Sequence, residues 1–185
     1  MPGKTLLFVV QQHHATHMHW DFRLEMDGVL VSWAVPKGPS IRPSEKRLAI
    51  RVEDHVYGYK DFEGVIPGND YGSGKVIIWD QGEYKPKDVD PECNLHDKWL
   101  PGGVLEFTLY GSKLKGDWVL VKTKKRLYGE DSWLLIKKND SYAGSGNIVE
   151  MCPNSVLSGK TVDQISEEDG LFDLKNYEKS IPDSG

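Results

Sequence analysis

The stretch His19-Trp20-Asp21-Phe22-Arg23-Leu24-Glu25-Met26-Asp27-Gly28-Val29-Leu30-Val31-Ser32-Trp33-Ala34-Val35 reads as two strands and the turn that joins them. From His19 to Met26, polar and apolar residues alternate strictly, the period of a β-strand with two unlike faces. Asp27-Gly28 is a strong two-residue hairpin signal, because both central positions of such a turn take positive φ. Similar runs rich in Val, Ile, Trp, Phe and Tyr recur at Leu6–Gln11, Leu48–Glu53, Lys75–Trp79, Val104–Tyr110, Trp118–Thr123 and Trp133–Lys137. Most are bounded by glycine, proline or aspartate, and Gly111–Gly116 reads as a longer hairpin loop. Eight short strands predict a mostly β fold. The expected form is a small antiparallel β-barrel, or a sandwich of the same strands, with a lone helix or two.

Two regions fall outside that pattern. Tyr84–Pro101 is polar and proline-bearing and reads as a surface excursion. Beyond about Ala143 the strand pattern stops, although Thr161-Val162-Asp163-Gln164 has the form of a capping box opening a short helix. The expected organisation is one barrel domain over 1–150 and an acidic C-terminal appendage over 151–185, partly helical or disordered.

The chain has 185 residues, 38% hydrophobic and 28% charged, an ordinary globular composition. No apolar run approaches the roughly 18 residues of a membrane span, so no membrane partner is expected. The apolar stretch Leu6–Val10 is too short for a secretory signal. Cys93 and Cys152 form neither a CxxC pair nor a disulfide framework. The expected location is cytoplasmic. A net charge of −5 argues against a nucleic-acid partner only until its distribution is read. Lys113–Lys138 holds 8 basic and 3 acidic residues, whereas 148–185 holds 8 acidic and 3 basic. The basic ribbon, with Lys122, Lys124, Lys125 and Arg126 at its centre, is what a phosphate backbone would meet.

Chemistry concentrates near the first hairpin. His13, His14, His17 and His19 fall within seven residues. On the polar face of the strand that follows, His19, Asp21, Arg23 and Glu25 succeed one another at intervals of about 7 Å. One reading is a solvent-facing edge strand with mixed charges. The other is a transition-metal site, because two imidazoles and a carboxylate form a facial set with open positions, and an upstream histidine could be folded back by the intervening turn. Further on, Pro36-Lys37-Gly38-Pro39 is a rigid loop carrying a lysine, and Lys46–His55 is a basic strand ending in Glu53-Asp54-His55, with Tyr59 four residues beyond. With Arg23, these residues supply what phosphoryl chemistry requires: cations for the phosphoryl oxygens, a proton donor and a metal. Glu53 and Asp54, of which strand alternation puts only one on its face, could help keep the His55 ring charged near neutral pH as a proton donor; in the alternative, His55 simply hydrogen-bonds a phosphoryl oxygen. Gly64–Gly74 lacks a Walker ending and reads as a turn-rich pocket rim.

Taken in order, these segments resemble the 3′-phosphoesterase domain of bacterial DNA ligase D. The resemblance rests on His13-x5-His19-x-Asp21-Phe22-Arg23-Leu24-Glu25, Ser32-Trp33-Ala34-Val35-Pro36-Lys37-Gly38-Pro39, Lys46-Arg47-Leu48-Ala49 and Val52-Glu53-Asp54-His55. It continues through Asp61-Phe62-Glu63-Gly64, Tyr71-Gly72-Ser73-Gly74, Trp118-Val119-Leu120-Val121 and Trp133–Lys138, covering roughly residues 6 to 140.

The resemblance implies a manganese-dependent enzyme (Mn2+, with other divalent transition metals as substitutes) that heals DNA 3′ ends on a small β-barrel. Such an enzyme removes a 3′-phosphate and, in ligase-linked relatives, a 3′ ribonucleoside. By position it implies His13, His19 and Asp21 as metal ligands. Arg23, His55 and Tyr59 would surround the scissile phosphate, Lys37 and Arg47 would give cationic support, and Gln11 and Glu53 would orient other groups. The implied partners are DNA or DNA/RNA primer-template 3′ ends and a separate DNA ligase or end-joining proteins. Relatives carry a charged arm ahead of the first strand. The few residues before Leu6 make monoester cleavage the firmer expectation and the diesterase step the weaker one.

Two other function classes fit parts of the sequence. A non-catalytic barrel could grip nucleic-acid ends around a structural metal, but it would leave His55 without a task. An iron oxygenase could use the same two histidines and acid, but it gives no reason for Arg23, Arg47 and Lys37 to crowd the site.

Overall fold

The computed structural model describes residues 5–69, 72–124 and 131–172. Nine strands form one sheet: β1 (Leu6–His14), β2 (Met18–Met26), β3 (Val29–Val35), β4 (Arg47–Val56), β5 (Gly64–Ile66), β6 (Gly74–Pro86), β7 (Val104–Gly111), β8 (Lys115–Lys122) and β9 (Ser132–Lys137). Their order is β1-β2-β3-β4-β9-β8-β7-β6-β5, and an additional β1–β6 pairing closes the first eight into an antiparallel barrel. The short β5 pairs with the first residues of β6, outside the closed ring. The barrel expectation is met and the sandwich is excluded.

Each expected strand is present, and the first hairpin turns where the sequence indicates. Asp27 and Gly28 have φ of 51° and 86°, the left-handed pair that a two-residue turn between right-twisted strands demands. Alternation then sorts side chains. Phe22, Leu24 and Met26 of β2 are fully buried inside with Phe8, Trp33, Trp79, Phe107, Trp118 and Trp133. Trp33 and Trp133 meet edge to face at 5.5 Å. An eight-stranded barrel has an interior that side chains can just fill; here four tryptophans do much of the filling.

Three local expectations change. Tyr84–Pro101 is a surface excursion only in part: β6 runs on to Pro86, and Tyr84, Leu95, Trp99 and Leu100 join the core, while the residues between them stay at the surface. Its apolar residues are spaced too widely among polar ones to show a period, yet they pack into the main core, and Tyr84 donates a hydrogen bond to the Glu25 carbonyl (2.6 Å). The rim segment holds β5 as well as turns. Nor is the basic ribbon one solvated face. Lys137 is 1% exposed and donates to the Asp117 and Lys138 carbonyls and to Asp140. Lys113 lies over the Trp79 ring, Lys138 pairs with Glu106 and Lys122 with Asp131. Lys124 is exposed, and Lys125 and Arg126 lie outside the described residues.

Beyond β9 the described residues, to Phe172, stay on the barrel. Among the described residues there are two short helices, α1 (Leu95–Lys98) ahead of β7 and α2 (Ile148–Met151) beyond β9. The capping box at Thr161 forms as the sequence indicates and opens a 3-10 turn, Val162–Gln164. Ile148, Val162 and Ile165 contribute to the main core. Among the described residues, no helix is long and apolar enough to cross a membrane.

Candidate active site

The polar face of β2 points out of the barrel, yet Asp21, Arg23 and Glu25 are 7%, 2% and 7% exposed. β2 is paired on both sides, to β1 and β3, so the edge-strand reading fails. The face is covered by a 3-10 turn, Tyr57–Asp61, that links β4 to β5. The site is thus built on the outside of the barrel, between the wall and this turn.

His13 of β1 stands directly opposite His19 of β2, and Asp21 follows two residues on, on the same face. The ligand atoms of the three lie within 4.8 Å of one another. His19 Nε2 is 3.2 Å and His13 Nδ1 3.9 Å from Asp21 Oδ2. The other nitrogen of each ring meets a backbone carbonyl: His13 Nε2 donates to Ser73 (3.3 Å), His19 Nδ1 to His17 (3.1 Å). Carbonyls only accept, so these bonds orient each ring with its other nitrogen turned toward Asp21; in the metal-free protein a proton on His19 Nε2 donates to Asp21, and it is this proton that a metal would displace. Imidazoles that hold a metal are oriented in this way, so the set fits a divalent transition metal. Among the described residues it is the only such cluster of three. His14 and His17 do not take part; His14 pairs with Asp163 instead.

The charges are coupled. Burial and the neighbouring His19 lower the pKa of His13. Burial opposes charge on His19 too, but the hydrogen bond and charge of Asp21 outweigh it and raise its pKa. Asp21 is held below the usual carboxylate range: burial pushes it up, while Arg23 and His19 pull it further down.

Arg23 is the hub. Its Nε donates to Gln11 Oε1 (2.6 Å) and its Nη1 to Ser32 Oγ (2.8 Å), while Nη2 lies 3.4 Å from Asp21 Oδ2. Its guanidinium carbon is 5.0 Å from the centre of the Tyr59 ring. Gln11, fully buried, extends the lock: its Nε2 donates to the carbonyls of Tyr59 (2.8 Å) and Phe62 (3.0 Å). One side chain therefore ties the guanidinium to the covering turn. His55 reaches the same place through an irregularity in the β3–β4 register, which sets it opposite Leu30. Its ring is 5.1 Å from that of Tyr59 and its Nδ1 3.1 Å from Arg23 Nη1.

The charged-ring expectation for His55 is not met. Burial and the Arg23 cation push its pKa down to about 4. Asp54 is drawn off to Arg51 and His96, and Glu53 meets the ring with its backbone carbonyl, 3.0 Å from Nδ1.

Lys37 and Arg47 do not join the Arg23 cluster directly. They line a groove at the barrel mouth with Gln12, Met18 and Trp20, and with Asn147, Val149 and Glu150 from beyond β9. Gln12 and Trp20 alternate with His13, His19 and Asp21, so this groove lies on the other face of the β1–β2 hairpin. Arg47 also pairs with Glu45 (3.0 Å). The expected site residues thus fall into two adjoining groups, with Gln11, His13, His19, Asp21, Arg23, His55 and Tyr59 in one.

Sequence reasoning assigned no role to Ser32 or to the carbonyls of Ser73 and Phe62. A signal for Ser32 exists: it is the one hydroxyl in the otherwise apolar strand Val29–Val35, and it accepts from the arginine while donating to the Leu30 carbonyl (2.9 Å). Backbone carbonyls leave no such signal.

Residues 11–122 match the family described as the DNA Ligase D 3'-phosphoesterase domain. The chain is 48% identical over 161 residues, 85% of its length, to the multifunctional non-homologous end joining protein LigD of Pseudomonas aeruginosa. It is 48% identical over 127 residues to the protein of that name from Mycobacterium bovis, and 40% identical over 144 residues to that of Mycolicibacterium smegmatis. The matched stretches are 18%, 15% and 18% of those proteins.

Proposed function

This chain belongs to the DNA ligase D 3′-phosphoesterase domain family, and on that premise we propose that it removes the phosphate from a DNA 3′ end, leaving a 3′-hydroxyl for repair synthesis or ligation in end joining. The observation that carries the reading is the locked arginine. A guanidinium held by Gln11, Ser32 and Asp21, beside the His55 ring and next to two histidines turned toward Asp21, is preorganised for a phosphate.

His13, His19 and Asp21 would hold the metal, with manganese preferred over magnesium because neutral imidazoles suit transition metals and magnesium prefers oxygen. Bound there, it would supply water activation and neutralise developing charge. The chain's own residues do the rest. Arg23, with Nε and Nη1 tied to Gln11 and Ser32, would offer Nη2 beside Asp21 to a phosphoryl oxygen, and Tyr59 covers the guanidinium and limits access of bulk water. His55, uncharged, offers one ring nitrogen as a hydrogen-bond donor and the other as an acceptor. Lys37 and Arg47, across the hairpin, are suited to the phosphodiester of the neighbouring nucleotide. In the net reaction the bond from phosphorus to the 3′ oxygen breaks, water adds to phosphorus, and the 3′ oxygen leaves with a proton.

The deciding experiment incubates the purified protein with a primer–template ending in 3′-phosphate, with and without manganese. Conversion to the 3′-hydroxyl only with metal is the expected result. Binding of the end without conversion would favour a non-catalytic end-binding barrel. A parallel substrate ending in a single ribonucleoside tests the diesterase step.

A further inference from the structure

We propose that the segment after the barrel, residues 152–172, is a strap that holds the covering turn in place, and that Phe172 is a positioning residue acting through Tyr59. This rests on the reading of Tyr59 as part of the phosphate site. The segment lies wholly beyond residues 11–122, the part matched by the family.

Gln11 holds the backbone of the turn through the Tyr59 and Phe62 carbonyls; its aromatic rings take a further partner. Tyr59 and Phe62 stack at 5.5 Å with 17° between their planes, giving an apolar patch on the outside of the barrel that the main core does not reach. With Leu30 and Val56 it forms a second, smaller cluster, completed by Phe172. The Phe172 ring stands edge-on to both partners, 6.0 Å and 83° from Tyr59, 5.5 Å and 81° from Phe62. Edge-to-face packing of this kind fixes ring orientation as well as burying area. Tyr59 is thus gripped between Phe172 and the Arg23–His55 pair.

The strap is seated by contacts specific to its backbone. Val65 donates to the Gly170 carbonyl and Phe172 to the Val65 carbonyl, both at 2.9 Å, so Leu171 forms a parallel bridge with Val65 of β5. The approach admits no side chain at two points. A Cβ on Gly64 (φ +151°) would lie 2.1 Å from the Gly170 carbonyl oxygen, and one on Gly170 2.2 Å from that of Glu63. Upstream, buried Ser155 donates to Glu63, whose carboxylate also accepts from Ile78 of β6, and Val156 donates to the Ile78 carbonyl (3.0 Å). Trp79 and Lys113 both donate to the Cys152 carbonyl. Val162 and Ile165 sink into the main core. The strap is therefore fixed to the barrel wall before it reaches the turn, so Phe172 presses on Tyr59 from a rigid base.

The test uses the full chain and needs no activity for its first arm. In Phe172→Ala, hydrogen exchange of the amides from 59 to 66 should rise about tenfold, close to the upper worth of such a ring pair, while strands β2 and β3 stay unchanged. Phe172→Leu, which keeps an apolar contact, should fall between. Unchanged exchange in Phe172→Ala overturns the proposal, whatever the enzyme does. The second arm is kinetic: Phe172→Ala should lower kcat/KM on a 3′-phosphate end about tenfold in the wild type but less than twofold in a Tyr59→Ala background. Equal losses in both backgrounds would show that Phe172 does not act through Tyr59 and would also overturn it. An inactive wild type would instead sink the functional reading and leave the exchange result to decide the strap.

Discussion

Arg23 Nη1 lies 3.1 Å from His55 Nδ1, and after burial this cation is the strongest influence against charge on the ring. The same Nδ1 lies 3.0 Å from the Glu53 carbonyl: with a proton it donates there, without one it accepts from Arg23, and in either tautomer the ring is uncharged. An imidazolium would set cation against cation. In the metal-free protein, His55 should titrate near pH 4, read by the ring resonances in NMR; a midpoint at 6.5 or above would refute the assignment. Between about pH 4 and 6.5 the folded chain then binds fewer protons at this site than the unfolded chain. Its contribution to stability therefore rises with pH across that window and is lost as pH falls toward 4.

The same charge state bears on the reaction. A neutral ring orients a phosphoryl or leaving oxygen by hydrogen bonding, whereas proton donation would require the imidazolium. His55→Ala should therefore lose activity to a similar extent, within about threefold, on a DNA 3′-phosphate and on a nitrophenyl phosphate, whose leaving group needs no proton. A far smaller loss on the activated ester would identify His55 as the acid.

Arg23→Lys tests geometry against charge. The guanidinium makes three directed contacts, to Gln11, Ser32 and Asp21, and a single ammonium cannot reproduce a planar fork. The expected loss in kcat/KM is about a hundredfold, about 2.7 kcal/mol of transition-state stabilisation. Near-complete activity in this variant would mean that charge alone suffices. Ser32→Ala, which removes one support and leaves the cation, should cost less.

Metal dependence should follow the three-residue set. His19→Ala and Asp21→Asn should each abolish manganese binding by calorimetry and abolish turnover, with the far-ultraviolet spectrum of the barrel retained. Asp21→Asn should also lower thermal stability, because the carboxylate offsets the buried Arg23 charge. Full activity in excess chelator, or undiminished metal binding in either variant, would reject these ligands.

Away from the site, Asp80 is the clearest stability determinant. Its fully buried carboxylate accepts the backbone N–H groups of Ser112, Lys113 and Leu114 at 2.9, 3.2 and 2.8 Å, pinning the β7–β8 hairpin loop. Asp80→Ala strands those donors and should cost about 3 kcal/mol in urea unfolding. An unchanged midpoint would show that the loop is held by other means.

The barrel and half of the site were legible in the residues because both rest on local rules. Alternation from His19 to Met26 separates a polar from an apolar face whatever surrounds the strand, and Asp27-Gly28 dictates its turn. The pairing of His13 with His19 follows once that strand and Leu6–His14 form a hairpin. What lay beyond reach depends on contacts between distant segments. That the polar face of β2 is buried, that His55 is neutral, and that Phe172 braces Tyr59 all come from the turn at 57–61 and the segment near 170 packing over the wall. Neither segment has a period to announce it. Strand parity likewise sets Lys37 and Arg47 at the barrel mouth rather than beside Arg23, because the spacing of cations along the sequence does not record which side of a hairpin they will meet. Local alternation determines which side chains share a face; only the closed barrel and what packs on it decides whether that face meets solvent, a metal or another part of the chain.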